Sequence, residues 1–106
     1  MKAVRPLDFS IDLDGTLLDN TDPDGRRFNL PVVNLIHFLA KQCKNVSVHI
    51  LSARPLHQQQ EIVNRLGLAR YIDGYHVKGD GWKPDIHLDD QQEVALGDKN
   101  IIVRMK

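Results

Sequence analysis

Three places in this chain gather residue types that could act on a phosphate ester. Asp12 and Asp14 stand two apart and lead directly into Gly15 and Thr16. Ser52 and Arg54 follow a second apolar run. Asp89 and Asp90 are adjacent after a third, with Lys83 a few residues ahead and Lys78 ahead of that. A phosphate monoester resists an anionic nucleophile because its own oxygens repel it. Two unit charges about 4 Å apart repel by roughly 4 kcal/mol at an effective dielectric near 20. A carboxylate that attacks phosphorus therefore needs a cation beside it. Magnesium takes oxygen ligands, commonly one or two carboxylates with phosphate and water, and Asp12, Asp89 and Asp90 can supply the carboxylates. Ser52 can donate to a phosphoryl oxygen, a lysine can place positive charge on the phosphate, and Gly15 lets the backbone approach closely.

These groups act together only if the fold brings them together. Leu7, Phe9, Ile11 and Leu13 alternate with polar residues, which predicts a strand over 7–13 ending at the Gly15 turn. The polar stretch 19–29, with Pro23 and Gly25, reads as a loop or tight hairpin. Asn29 and Pro31 suit a helix start. Val32, Leu35, Ile36 and Leu39 then recur at helical spacing, predicting an amphipathic helix to about Lys44. A β-branched run predicts a strand over 46–51. A second helix starts at Pro55, carries Ile62, Val63 and Leu66 on its apolar side, and stops at Gly67. Short strands are expected within 71–77 and over 86–88 and 101–103, with a helical turn or two over 91–96. Strands that alternate with helices predict an α/β domain: a parallel Rossmann-like sheet with right-handed crossovers and helices on both faces, in three layers. Ligands of such sheets bind beyond the carboxyl ends of the strands, which is where all three polar groups fall.

The bulk numbers fit one domain over 1–106. The chain has 106 residues, 42% apolar and 26% charged. Fourteen basic and fourteen acidic side chains cancel, so no overall field draws the protein to nucleic acid or membrane. Cys43 is alone, and the five histidines show no zinc-binding spacing; all five read as surface or satisfied core residues. No apolar run approaches the ~20 residues that span a membrane. No membrane partner and a cytoplasmic location, or the cytosol of a host cell, are therefore expected.

The run SIDLDGTLLDN resembles the first motif of the haloacid dehalogenase-like (HAD) hydrolases. HILSARP resembles their second, and KPDIHLDDQ their third and fourth, in the same order. The resemblance spans Asp12 to Asp90. It implies a HAD-like core and a magnesium-dependent phosphatase in which Asp12 is the nucleophile and forms an aspartyl-phosphate. It implies that Asp14 protonates the leaving alcohol, then deprotonates the hydrolytic water, and lends its backbone carbonyl to the metal. Crowding among carboxylates would raise the Asp14 pKa for that task. Lys83 is preferred over Lys78 as the phosphate lysine because the Lys-Pro-Asp run matches the family. Asp89 is expected to bind metal directly and Asp90 through water. The remaining roles have alternatives. Thr16 contacts phosphate through its backbone or only caps the turn; Arg54 binds substrate or is solvated; Trp82 stacks on a substrate ring or packs; Arg26, Arg27 and Phe28 touch a leaving group or form an exposed flap.

Family members often carry a cap domain after the first motif or between the second and third. Here about a dozen residues separate Leu18 from the next helix, and the second gap holds one helix and a short strand. The chain thus resembles a capless form. Such a site admits a bulky phosphorylated substrate, polymer as well as small molecule, or a neighbouring subunit of a homo-oligomer covers it. The rival to a phosphatase is a binding or regulatory module that keeps the scaffold with weak catalysis.

Overall fold

The alternating runs become a sheet in a computed structural model that describes residues 5–19, 27–91 and 96–103. Its strands are β1 (Leu7–Ile11), β2 (Val46–Ser52), β3 (Gly74–Val77), β4 (Ile86–Asp89) and β5 (Lys99–Ile102). They form one parallel sheet in the order β3-β2-β1-β4-β5. Helix α1 (Leu30–Gln42) joins β1 to β2, and α2 (Leu56–Arg65) joins β2 to β3. Pro31 lies in the first turn of α1 as its fixed φ allows, and Asn29 stands at the cap position without a side-chain capping bond. β1 stops at Ile11, two residues before the expected end, because Leu13 is drawn into the following turn. The edge strand β5 starts two residues before the expected Ile101; it is held by backbone pairing to β4, which an apolar pattern does not report. The helical turn expected over 91–96 and most of the 19–29 loop, including Arg26, lie outside the described residues.

The two faces of this sheet differ. β1, β2 and β3 step in one direction, so right-handed crossovers place α1 and α2 on the same face. Phe9, Ile11, Val48, Ile50 and Leu88 form one buried cluster there with Val32, Ile36 and Leu39 of α1 and Ile62 and Val63 of α2. Gln59 of α2, fully buried, donates to the carbonyls of Arg54 (2.8 Å) and His76 (2.9 Å) and ties the helix to the carboxyl ends of β2 and β3.

The register sets Ser10 level with His49 on one side and His87 on the other. Residues level with one another in a parallel sheet face the same way, so the opposite face is polar. Across it runs the connection from β3 to β4. Trp82 stacks on His76 at 3.6 Å and lies 4.8 Å from His49, and His49 Nδ1 meets His76 Nε2 at 2.9 Å. The connection ends at the amino edge, where Asp85 N–H donates to the Asp8 carbonyl (2.9 Å) and the Asp85 carboxylate accepts from Asp8 N–H (2.8 Å). Trp82 therefore packs within the protein against two histidines. Among the described residues no helix is long and apolar enough to cross a membrane.

The core predicts its own test. Ile36 is fully buried while Phe38, two residues on, is 56% exposed. Ile36→Ala is expected to cost about 2–5 kcal/mol in urea unfolding, and Phe38→Ala to stay within roughly 0.5 kcal/mol of the parent.

Candidate functional site

The sheet register assembles the site. Ile11 is level with Leu88, and the ladder runs one step further through Asp12 N–H, which donates to the Leu88 carbonyl (3.0 Å). Asp12 and Asp89 thus leave neighbouring strands side by side, 6% and 1% exposed. The turn after Asp12 is held from below. Leu13, Leu17 and Leu18 are buried in the core. Leu18 N–H donates to the Leu13 carbonyl (2.8 Å), Thr16 N–H to the same carbonyl (3.2 Å), and Gly15 N–H to the Leu18 carbonyl (2.9 Å). Gly15 makes this loop with φ of 80°, a conformation that a side chain would strain. The apolar residues around the first motif are thus anchors that fix where Asp12 points.

The oxygens of Asp12, Asp89 and Asp90 can approach within 4.8 Å of one another. Lys78, the residue after β3, bridges the first two: Nζ lies 3.4 Å from Asp12 Oδ1 and 3.0 Å from Asp89 Oδ2. Burial pushes the Asp12 carboxyl up to about 7, with Lys78 opposing and Asp89 adding. Burial acts on Asp89 in the same direction, but bonds from His87 and Lys78 outweigh it and hold that carboxyl far below the ordinary value. Burial, and then a hydrogen bond with Asp89, raise Asp90. Burial disfavours the Lys78 charge, yet Asp12 and Asp89 overcome it and keep the ammonium. Three crowded carboxylates answered by one ammonium form a donor set suited to a hard dication, which favours carboxylate oxygen. Asp12, Asp89 and Asp90 are the residues that could hold a metal ion.

The other expected residues fall in different places. Lys83 is a correction: it is exposed and pairs with Asp98 at 2.9 Å. It precedes β4, so it lies toward the amino ends of the strands, while Asp89 closes the carboxyl end. Lys78 is the lysine at the carboxylates. For Asp14 it is the expected raised pKa that fails. Its carboxylate is gripped by Arg54, Nε to Oδ2 and Nη2 to Oδ1, both at 2.8 Å. That fork lowers the Asp14 pKa rather than raising it, and Asp14 stands outside the three-carboxylate group. Arg54 is therefore paired with Asp14 rather than simply solvated. Ser52 is buried at the end of β2; its Oγ accepts the Arg54 N–H (3.1 Å) and retains its own proton to give. Gly15 and Thr16 are buried, with their amides spent in the turn. The Thr16 hydroxyl finds no hydrogen-bond partner among the described residues.

Sequence reading missed His87. It is fully buried, with Nε2 2.9 Å from Asp89 Oδ2 and Nδ1 2.7 Å from Ser10 Oγ. The signal was present: two residues before Asp89 in a strand, His87 must share its face.

A carboxyl with a folded value near 7 and an unfolded value near 3.8 binds its proton more tightly when folded. Stability from Asp12 is therefore lost as pH rises through that interval. Asp89, depressed on folding, acts in the opposite sense, at pH below about 4. In metal-free protein, Asp12→Asn has no such proton, so its urea midpoint should gain on the parent from pH 5 to pH 8. A gap that stays constant with pH would show that Asp12 titrates normally.

The chain matches no protein-family model, no curated protein and no solved structure.

Proposed function

We propose that the chain is a magnesium-dependent phosphomonoester hydrolase that works through an aspartyl-phosphate on Asp12. One observation carries this reading: Asp12, Asp89 and Asp90 converge at the carboxyl edge of a parallel sheet with Lys78 bridging two of them. Nearly dry carboxylates pressed together destabilise a fold unless they serve a cation. The resemblance of the motif runs to HAD hydrolases supports the same reading. It brings with it a HAD-like core without a cap, whose third layer would have to come from outside the described residues.

Magnesium bound to Asp12, Asp89 and Asp90 would neutralise charge between the nucleophile and the phosphate. The protein's own groups supply the rest. Lys78 gives the phosphate a fixed positive charge and keeps Asp12 company in its ionised form. Ser52 holds a hydroxyl proton for a phosphoryl oxygen. An Asp12 oxygen bonds to phosphorus as the ester P–O bond breaks, and the departing alcohol takes a proton from Asp14. Water then attacks the aspartyl-phosphate, gives its proton to Asp14, and frees Asp12 with inorganic phosphate. Arg54 sets a condition on this cycle: Asp14 must leave the guanidinium fork before it can carry a proton. A substrate anion that draws Arg54 away would release it.

Neither 19–29 nor 53–85 is long enough for a folded cap, so the substrate is a small phosphate ester or a phosphorylated polymer, and a second copy could cover the edge.

The assay is hydrolysis of an aryl phosphate with and without magnesium, followed by a panel of sugar phosphates, nucleotides, phosphopeptides and phosphorylated oligonucleotides. Asp12→Asn should abolish turnover with an unchanged circular dichroism spectrum; full activity would overturn the mechanism. Binding of magnesium with no ester turned over would favour a non-catalytic module. Lys78→Met should lower kcat about 10²–10³-fold, while Lys83→Met should match the parent. The reverse ranking would restore Lys83 as the phosphate lysine.

A further inference from the structure

We infer that His87 is a positioning residue for the cation site, and that Ser10 sets its orientation. This rests on the reading of Asp12, Asp89 and Asp90 as a magnesium site.

Ser10, His87 and Asp89 form a continuous chain of hydrogen bonds: Ser10 Oγ to His87 Nδ1 at 2.7 Å, and His87 Nε2 to Asp89 Oδ2 at 2.9 Å. The order of types is that of a nucleophilic triad, but Ser10 and His87 are fully buried, so no substrate reaches the serine. A structural purpose remains. An ionised carboxylate only accepts hydrogen bonds, so Nε2 must carry the hydrogen it shares with Asp89. The Ser10 hydroxyl, facing Nδ1, can donate to it and so favours that tautomer.

The consequence falls on Asp89. Oδ2 receives both His87 Nε2 and Lys78 Nζ, the latter at 3.0 Å, and Oδ1 receives Gln91 N–H at 3.1 Å. A carboxylate has about two acceptor sites on each oxygen. Oδ2 is filled, and the carboxylate plane is fixed from both ends. Lys78 cannot hold that plane alone, because its flexible ammonium is shared with Asp12. The imidazole is rigid, walled in by the sheet face, and committed to one oxygen. Partners of this kind behind a metal ligand commonly contribute 10–100-fold to metal affinity.

The register explains why these three residues meet. Ser10 and His87 are level on adjacent strands, and Asp89 follows two residues on, on the same face. The polar face of the sheet thus reaches the site from behind, where no substrate touches it.

The test uses the full chain, stripped with EDTA and titrated with Mn2+ by electron paramagnetic resonance. His87→Leu, which keeps bulk and loses the donor, should weaken Mn2+ binding about 10–100-fold. It should raise the magnesium concentration for half-maximal turnover in proportion, with kcat at saturating magnesium less affected. His87→Gln places an amide N–H the same number of bonds from Cα as Nε2 and should recover most of the affinity. Ser10→Ala should give a smaller loss in the same direction; it carries the test if His87→Leu does not fold. Mn2+ binding by His87→Leu equal to the parent overturns the inference, as does equal weakening by His87→Leu and His87→Gln. If the parent itself binds no Mn2+ and hydrolyses nothing, the magnesium reading fails first and takes this one with it. If the parent binds Mn2+ without hydrolysis, the affinity ranking of the variants still decides.

Discussion

Asp12 and Asp89 are two carboxylates held side by side at the ends of adjacent strands, almost out of reach of water. Their burial beside one another is the constraint that the rest of the arrangement answers. A buried charge is costly unless paired and hydrogen-bonded. Each carboxylate meets this differently. Asp89 gathers N–H donors from His87, Lys78 and Gln91 and stays ionised. Asp12 has the shared Lys78, and burial leaves it near 7, poised between its two states at neutral pH. One carboxylate is thus fixed in charge and place, while its neighbour, with fewer donors, is the one whose charge burial disfavours. The difference arises on the polar sheet face, which offers Asp89 an imidazole.

The elements and their order were legible in the sequence because apolar periodicity reports directly which face is buried. Helical spacing at Val32, Leu35, Ile36 and Leu39 and alternation at Leu7, Phe9 and Ile11 are imprints of the cluster they enter. Strand ends were legible within two residues, which sufficed to bring Asp12, Ser52 and Asp89 to one edge. Pairwise side-chain contacts were not legible in the same way. The choice of Lys83 over Lys78 followed a local motif, yet a lysine ahead of β4 lies at the strand's amino end, and each residue of strand adds about 3.3 Å of separation from Asp89. Lys78 directly follows β3 at the carboxyl edge. Direction along a parallel strand was the deciding fact, and it was available without a structure.

Asp14 shows a different limit. Proximity of acidic residues in sequence suggested crowding and a raised pKa. The chain instead turns at Gly15 and leaves Asp14 half exposed beside Arg54, whose planar fork matches both carboxylate oxygens at 2.8 Å. Two carboxylates two positions apart can see opposite fields when a turn begins between them. Asp12 faces the sheet edge and its sister acids; Asp14 faces a cation from the end of β2. Opposed environments of this kind separate the roles of two acids of one chemical type. Under the proposed mechanism both shifts oppose the assigned roles in the resting site: a bound cation must ionise Asp12, and Arg54 must release Asp14 before it can hold a proton.

The polar second face also bears on how Lys78 comes to its place. β3 lies at one edge of the sheet and β4 beyond β1, so the chain must return across two strands. A connection over an apolar face would need an apolar cover. Here His49, His76 and Ser10 supply a face that a short polar segment can lie against, anchored midway by Trp82 stacked on His76 and at its end by the two hydrogen bonds between Asp85 and Asp8. Lys78 opens that segment, its N–H donating to the Ser52 carbonyl at 2.9 Å, and so is fixed from behind as it leans over the strand ends. Three of the five histidines, His49, His76 and His87, share this face. One steadies Asp89, and two seat the segment that delivers the ammonium to Asp12. The side of the sheet that α1 and α2 leave uncovered is therefore the side that orders Asp89 and Lys78.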